Sequence, residues 1–315
     1  MTNHKQTQHP TPAIRAYLGG SFDPVHKGHL QIAMYVYQHL LPLAKQLNHE
    51  LHVSLLPNAR SPFKQESTDP KHRLAMLKLA TTNTPIKIDE LELWQAPPVY
   101  TIDSVRALRQ HYPHDSLIFI IGMDSALSLS KWKEGLGLTN YVNLWIFNRE
   151  SLPDVDIDID IDIDIDVDVD VKNNSFAKSL PNLVNDNNMM PDLAELQSQL
   201  PAELQCLVID SPTELITPNA QVLVNKSALK NNYQGHIYID PRPVTAVSST
   251  QVRQKLQKIP HILNIKHTAE MQIASLQPIN DIMCNTELNP LAKWLNPAVY
   301  QYIIAHQLYS AAQFR

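Results

Sequence analysis

The chain contains 315 residues, of which 43% are hydrophobic and 18% are charged, and its formal net charge is −5 at pH 7. A chain of this length buries a substantial core in one large domain or two modest ones. It lacks the general basic character that suggests a nucleic-acid partner, and no apolar run reaches the length of about 18 residues expected for a membrane-spanning helix.

The N-terminal end, residues 1–10, is polar and has no apolar core of the kind found in secretory signals. We expect residues 1–13 to form a disordered tail. The only two cysteines, Cys206 and Cys284, are far apart and show no metal-ligand spacing. These features favour a cytoplasmic protein with reduced thiols.

The most informative stretch is residues 19–29, which read Gly-Gly-Ser-Phe-Asp-Pro-Val-His-Lys-Gly-His. An apolar run ends at Leu18, and apolar residues at helical spacing begin at Leu30, so the stretch lies at a strand-to-helix turn. Glycines at such a turn let the backbone approach a ligand, and the helix N-terminus attracts anions. His26 and His29 both project from the start of the helix. The pattern predicts a nucleoside triphosphate bound by imidazoles; the simpler alternative is a tight turn with two incidental histidines.

Alternating strands and helices follow this turn. Strands are predicted at residues 51–57, 86–89, 116–122, 143–148 and 236–240, with helices at residues 71–80 and 102–111. The alternation is typical of an α/β fold in which helices cover both faces of a parallel sheet. Ligands of such sheets bind beyond the carboxyl ends of the strands, where the turns at Gly19 and Gly122 are expected.

A low-complexity repeat interrupts this pattern, because residues 154–171 contain nine aspartates that alternate with nine Val or Ile residues. Strict alternation favours a strand, but like charges on one face repel one another. A row of carboxylates also suits Ca²⁺, while a solvated, disordered loop is the simpler interpretation. The repeat is part of a predicted insertion over residues 151–204, with regular structure resuming at Gln205. A second insertion is predicted over residues 261–289.

A second motif, residues 247–253, reads Val-Ser-Ser-Thr-Gln-Val-Arg. Ser248, Ser249 and Thr250 are good N-cap residues before a predicted helix. A capped helix start presents backbone N–H groups to a phosphate, and the Arg253 guanidinium adds a planar fork of donors. Alone, this pattern usually marks only the start of a helix. Beside the first motif, we interpret it as a phosphate site.

Both motifs resemble elements of the nucleotidyltransferase superfamily: its His-x-Gly-His signature at residues 26–29, and the Ile-Ser-Ser-Thr-x-x-Arg element of its adenylyltransferases at residues 247–253. Further stretches are similar to the bacterial nicotinate-nucleotide adenylyltransferases. These are Leu56-Pro-Asn58, Lys71-His-Arg-Leu-Ala-Met-Leu77, Glu90-Leu-Glu92 with Tyr100-Thr101, Phe119-Ile-Ile-Gly-Met-Asp-Ser125 with Trp132, and Leu295-Asn-Pro-Ala-Val-Tyr-Gln-Tyr-Ile303. The resemblance covers residues 14–150, 235–256 and 294–309.

This resemblance implies a Rossmann-like, doubly wound parallel sheet with helices on both faces and a C-terminal helical part. It also implies an activity in NAD biosynthesis: transfer of AMP from ATP to nicotinate mononucleotide, giving nicotinate adenine dinucleotide and pyrophosphate. Mg²⁺ is expected to arrive with ATP, since no dedicated carboxylate cage is visible. The alternatives are transfer to nicotinamide mononucleotide or pantetheine phosphate, or a non-catalytic nucleotide-binding sensor. Nothing in the pattern indicates the oligomeric state, a nucleic-acid partner or a membrane partner.

The resemblance also implies roles on the ATP side. His26 and His29 would steady the charge on the α-phosphoryl group and the leaving pyrophosphate, and Arg253 would hold the β- and γ-phosphates; these three are the predicted catalytic residues. Asp124 would accept hydrogen bonds from a ribose. The predicted ATP-binding residues are Gly19, Gly20, Ser21, Phe22, His26, His29, Gly122, Asp124, Ser249, Thr250 and Arg253.

On the mononucleotide side, Trp132 would stack on the pyridine ring, unless it serves only in packing. Thr101, with the backbone of Ile102 and Lys133, would bind the ring carboxylate, although Thr101 also suits an N-cap. The predicted nicotinate mononucleotide-binding residues are Lys64, Tyr100, Thr101, Ile102, Trp132, Lys133 and Arg149.

Two departures from the family pattern affect this subsite. Phe63 stands where the family has a histidine, which leaves Lys64 as the expected phosphate contact. Arg149 is followed by Glu150 and Ser151 in place of Pro-Gly.

Overall fold

The computed structural model describes residues 12–59, 67–148, 193–216, 233–242, 244, 247–257 and 291–309. The strands are β1 (Ile14–Gly20), β2 (Leu51–Pro57), β3 (Lys87–Ile88), β4 (Ser116–Gly122), β5 (Asn143–Phe147), β6 (Val208–Ile209) and β7 (Ile237–Asp240). The helices are α1 (Lys27–Leu47), α2 (Pro70–Ala80), α3 (Thr101–His111), α4 (Met123–Leu127), α5 (Leu193–Gln199), α6 (Ala202–Gln205), α7 (Ser249–Gln257) and α8 (Pro297–Ala305).

In the described part of the chain, seven strands form one parallel sheet in the order β3-β2-β1-β4-β5-β7-β6. The predicted α/β fold with a Rossmann-like, doubly wound sheet is therefore confirmed. The central strand β4 has the predicted bounds, because its apolar run from Leu117 to Ile121 is buried on both sides of the sheet. Among the described helices, none has the length and apolarity needed to cross a bilayer.

Two hydrophobic cores lie on opposite faces of the sheet. Alternate residues of β4 divide between them: Ile118 and Ile120 contribute to one core, and Leu117, Phe119 and Ile121 to the other. This division follows from the two-residue period of a strand. Helices α1, α2, α7 and α8 pack in the first core, whereas α3 and α5 pack in the second. Both faces of the sheet are thus covered.

The insertion predicted over residues 151–204 ends earlier than expected. Residues 193–205 form α5 and α6, and Leu196, Leu200 and Leu204 are buried in the second core. These leucines recur at helical spacing, which is the signal that could have located the two helices. The repeat at residues 154–171 and the second predicted insertion, residues 261–289, lie outside the described residues.

The N-terminal boundary also differs from the expectation. Residues 1–11 of the predicted tail lie outside the described residues, but Ala13 is 4% exposed and its N–H donates to Oδ1 of Asp115 over 3.1 Å. The carbonyl of Ala13 accepts the N–H of Ser116 over 2.9 Å. Ala13 is therefore part of the packed fold, and the predicted end of the tail at residue 13 is too late.

Candidate functional site

The carboxyl edge of the sheet gathers the turns that the sequence singled out. Gly20 at the end of β1 pairs in register with Pro57 of β2. Gly122 at the end of β4 lies beside Phe147 of β5, which in turn lies beside Asp240 of β7. Because the strands are parallel, the segments that follow β1, β4 and β7 all leave at this edge, where open α/β sheets bind their ligands.

His26 and His29 lie side by side at the start of α1. Their ring centroids are 3.6 Å apart with an interplanar angle of 23°, and Phe22 packs edge-on against His29 with centroids 4.8 Å apart. His26 occupies the N-cap position, and its backbone N–H donates to Nδ1 of His29 over 3.2 Å. An accepting Nδ1 carries no proton, so a neutral His29 has its proton on Nε2. In that tautomer, Nε2 is the ring nitrogen that can donate a hydrogen bond.

The glycines of the first motif make room for neighbouring side chains. A Cβ at Gly19 would lie 2.8 Å from Cζ of Phe119, and a Cβ at Gly28 would lie 3.0 Å from Cγ1 of Val247. The left-handed φ in this turn belongs to Phe22, at 46°, and not to a glycine. Since Val247 belongs to the second motif, Gly28 permits the two motifs to pack closely.

The second motif begins α7 with a reciprocal cap. Oγ of Ser248 accepts the N–H of Gln251 over 3.2 Å, and Oε1 of Gln251 accepts the N–H of Ser248 over 2.9 Å. Ser249, the next residue, donates its Oγ hydroxyl to the carbonyl of Pro24 over 2.9 Å. Of the three predicted cap residues, Ser248 therefore makes the cap, while Ser249 joins the helix to the first motif.

Arg253 makes the second connection between the motifs. Its Nη1 donates to the carbonyl of Asp23 over 2.5 Å, although the two residues are 230 positions apart, and its Nη2 donates to Oγ1 of Thr250 over 3.1 Å. These contacts place the guanidinium beside the turn that carries His26. A guanidinium has five N–H donors, so a phosphate can be bound in addition.

Gly122 and Asp124 border the same edge from β4. Gly122 precedes α4, and Asp124 is an exposed residue in the first turn of that helix. Asp124 thus lies just beyond the end of the buried strand, on the helix that follows it. Its role toward a ribose stays a prediction.

Arg73 is a buried residue that the sequence reasoning did not assign to the site. It is 0% exposed, and its guanidinium donates to three carbonyls: Ser21 over 2.9 Å, Ala59 over 2.6 Å and Thr68 over 3.1 Å. Burial lowers the pKa of Arg73 from its ordinary value, and the nearby charge of Asp23 opposes that shift. The only sequence signal was its position in the helix over residues 71–77 that carries part of the resemblance.

The predicted mononucleotide subsite gathers around the start of α3. Tyr100 is the N-cap residue and Thr101 is the first residue of the helix, so the alternative of Thr101 as the N-cap is wrong. Ile102 follows and is buried. The Lys133 ammonium lies 4.6 Å from the centroid of the Tyr100 ring and donates to Oδ2 of Asp103 over 3.0 Å. The ammonium of Lys133 therefore lies near the first N–H groups of α3.

The segment that carries Trp132 is fixed by polar contacts. Nε1 of Trp132 donates to Oγ of Ser128 over 3.1 Å, and the ring packs on the second core. Arg106 of α3 forms a two-pronged ion pair with Glu134, one contact being 3.3 Å between Nη1 and Oε1. This pair raises the pKa of Arg106 and lowers the pKa of Glu134. A Cβ at Gly135 would lie 2.1 Å from a backbone oxygen, so only glycine fits there.

Two residues predicted to bind the mononucleotide, Lys64 and Arg149, lie outside the described residues, as does Phe63. Among the residues that the structure describes, no group of three or more His, Cys, Asp or Glu side chains is placed to hold a metal ion.

Comparison with known proteins gives consistent results. A family model described as cytidylyltransferase-like matches residues 17–255, a range that includes both motifs. A probable nicotinate-nucleotide adenylyltransferase of Sodalis glossinidius is 40% identical over 142 residues, which are 44% of this chain and 62% of that protein. A protein of the same name from Idiomarina loihiensis is 28% identical over 247 residues, 78% of this chain and 89% of that protein.

The chain matches less than two thirds of the length of several such relatives, with values of 62%, 62% and 56%. Among solved structures, the nicotinic acid mononucleotide adenylyltransferase of Plasmodium falciparum, complexed with NaAD, aligns with a TM-score of 0.50 and 16% identity. That alignment covers 94% of this chain and 97% of the other. It shows that the two proteins share a fold.

Proposed function

The chain belongs to the cytidylyltransferase-like family, and from this we propose that it transfers AMP from ATP to nicotinate mononucleotide, releasing pyrophosphate. The product would be nicotinate adenine dinucleotide, an intermediate of NAD biosynthesis. The observation that carries the proposal is the junction of the two motifs, where Arg253 and Ser249 bind the carbonyls of Asp23 and Pro24. The names of the relatives support the choice of the nicotinate substrate.

In the proposed reaction, the mononucleotide phosphate attacks the α-phosphorus of ATP in line, and pyrophosphate leaves from the opposite side. Such a transfer depends on positioning and on charge stabilisation, and needs no protein nucleophile. Nε2 of His29 donates to a phosphate oxygen, and the stacked ring of His26 lies next to it. Arg253 and the first N–H groups of α7 bind the β- and γ-phosphates.

Mg²⁺ would enter this site bound to the triphosphate of ATP. It is a hard cation that keeps several waters and binds substrate phosphates readily, so a dedicated protein cage is unnecessary. This assignment agrees with the character of the described site, in which the groups nearest the expected phosphates are imidazoles, a guanidinium and backbone N–H groups.

Recognition of the pyridine ring would occur at the start of α3. The N–H groups of Thr101 and Ile102 and the positive end of the helix dipole favour a carboxylate over a neutral amide. The Lys133 ammonium, held between Asp103 and the Tyr100 ring, adds to this preference. Trp132 would stack on the ring, with its orientation fixed by Ser128. A cytoplasmic location is part of the same proposal.

The test is pyrophosphate release from ATP and Mg²⁺ with nicotinate mononucleotide, nicotinamide mononucleotide or pantetheine phosphate as acceptor. We expect strong preference for nicotinate mononucleotide. His29→Ala should lower kcat by about 100-fold or more, since it removes a donor to the developing charge. His114→Ala is the matched control, because His114 is exposed and precedes β4 at the opposite edge of the sheet.

Other outcomes would contradict the proposal in distinct ways. Equal use of nicotinate mononucleotide and nicotinamide mononucleotide would support adenylyl transfer but refute recognition of the ring carboxylate at α3. Turnover with pantetheine phosphate and with neither mononucleotide would show that the acceptor is pantetheine phosphate. ATP binding without turnover of any acceptor would favour the sensor alternative.

A further inference from the structure

Asp23 is a buried residue in the first motif that holds three separate parts of the chain. The residue is 4% exposed, and its carboxyl group accepts hydrogen bonds from the hydroxyl of Tyr309 over 2.6 Å and from the N–H of Thr68 over 3.2 Å. Its carbonyl accepts the contact from Arg253. Asp23 therefore links Arg253 to the turn that leads to His26.

Tyr309 reaches Asp23 from the C-terminal end of the described chain, 286 positions away. It is 0% exposed, and burial together with the charge of Asp23 raises the pKa of its hydroxyl well above the ordinary value. At neutral pH the hydroxyl is therefore protonated and donates. A buried tyrosine hydroxyl needs a hydrogen-bond partner, and the partner of Tyr309 is the carboxyl group of Asp23 in the first motif.

The C-terminal segment also contacts the first motif on the other side of His26. The carbonyl of Trp294 accepts the N–H of Lys27 over 2.8 Å. Residues Leu295, Val299 and Ile303 of the same segment are buried in the first core. The segment from residue 291 to residue 309 is thus anchored in the first core. Its contacts with Asp23 and Lys27 lie on either side of His26 in the sequence.

On the basis of the proposed function, we propose that Tyr309 is a positioning residue for adenylyl transfer. Its hydroxyl fixes the carboxyl group of Asp23, and Asp23 fixes both the turn before His26 and the carbonyl that binds Arg253. Tyr309 touches neither substrate nor phosphate. It acts by fixing the position of the histidine donors of the first motif relative to the guanidinium of Arg253, so that both can bind the triphosphate at the same time.

The test compares Tyr309→Phe with Tyr302→Phe in the full chain. Each variant removes one hydroxyl from the same segment, but the hydroxyl of Tyr302 pairs with Nδ1 of His72 over 2.9 Å and not with a residue of the first motif. We expect Tyr309→Phe to lower kcat about 10- to 100-fold with little change in either KM, because the geometry of the transferring group is disturbed. Tyr302→Phe should keep the wild-type kcat. The melting temperatures of the two variants show whether the loss of each hydroxyl lowers stability to a similar extent.

A second readout does not depend on turnover. The ring resonances of His26 and His29 should shift in the NMR spectrum of Tyr309→Phe, whereas Tyr302→Phe should shift those of His72 and His306 only. Unchanged resonances of His26 together with a kcat equal to that of Tyr302→Phe would overturn the role of Tyr309. If the wild-type protein turns over no acceptor, the proposed function fails, and the histidine resonances still decide whether Tyr309 positions the first motif.

Discussion

Arg73 shows how a single buried charge organises the predicted ATP site. Its guanidinium donates hydrogen bonds to backbone carbonyls of three segments of the chain, and one of these carbonyls belongs to Ser21 in the first motif. A buried cation is costly unless its donors are satisfied, and here the satisfaction comes mainly from backbone dipoles. The planar fork of donors is suited to this task, since it binds several acceptors in one plane. The charge and the shape of arginine are therefore both required.

We predict that Arg73→Lys lowers kcat about tenfold or more and lowers the free energy of unfolding by about 2–3 kcal/mol, because an ammonium cannot reach all three carbonyls. Arg109→Lys is a matched control. Arg109 is 7% exposed and also binds carbonyls, including those of Tyr141 and Asp115 over 2.9 Å, but it lies near the amino end of β4. The control should lose similar stability and keep its kcat, as measured by denaturant titration and steady-state kinetics. Equal kinetic losses in the two variants would refute a local role for Arg73.

At the scale of elements, the segment between α4 and β5 is held to α3 through charged side chains. Arg106 on α3 pairs with Glu134, and Lys133 pairs with Asp103. Both pairs cross from the segment that carries Trp132 to the helix that begins with Thr101. The two halves of the predicted ring pocket are thus joined by contacts near the solvent, which set geometry and contribute little to stability.

Glu134→Gln should therefore raise the KM for nicotinate mononucleotide about two- to tenfold and leave the KM for ATP unchanged. The melting temperature should hardly change, since Glu134 is exposed. Glu50→Gln provides the control: Glu50 is also exposed, and its partner His52, at 3.0 Å, is near the amino end of β2. Because Arg106 lowers the pKa of Glu134, the pair should persist to a lower pH than an unpaired glutamate would allow, and the wild-type KM should rise only below that pH. A rise of both KM values in Glu134→Gln would contradict the assignment.

The sequence was sufficient for elements with long apolar runs and insufficient for contacts between distant residues. Strand β4 was predicted with its observed bounds because a fully buried strand has a continuous apolar sequence. Helices α5 and α6 were missed because residues 172–201 are rich in Asn, Ser, Pro and Met, and this loop-like composition concealed the helical spacing of Leu196, Leu200 and Leu204.

The candidate site divides in the same way. The two motifs were identified by local pattern and resemblance, whereas the hydrogen bond of Tyr309 to Asp23 spans 286 positions and has no local signal. Arg73 was likewise missed, because its three carbonyl partners are backbone groups that carry no sequence signature.

At the scale of the whole molecule, the strand order explains where the site lies. From β1 the chain adds β2 and β3 on one side, and from β4 it adds β5 and β7 on the other. The order reverses between β1 and β4, and at such a switch point the adjoining turns diverge and leave a crevice. The first motif follows β1 and Asp124 follows β4, so both border this crevice.

This architecture also leads to a prediction for the low-complexity repeat. Described helices already cover both faces of the sheet, and the described site residues lie on segments after β1, β3, β4 and β7. We therefore expect a chain that lacks residues 154–171 to fold and to retain kcat and both KM values within about twofold, since changes outside a core and a site have small effects. Thermal melting and pyrophosphate release measure the outcome. A large fall in melting temperature would mean that the repeat packs against the described core, and a selective change in one KM would place it beside that substrate.

Deletion of residues 193–204 is the contrasting variant: it removes Leu196, Leu200 and Leu204 from the second core and should abolish cooperative unfolding.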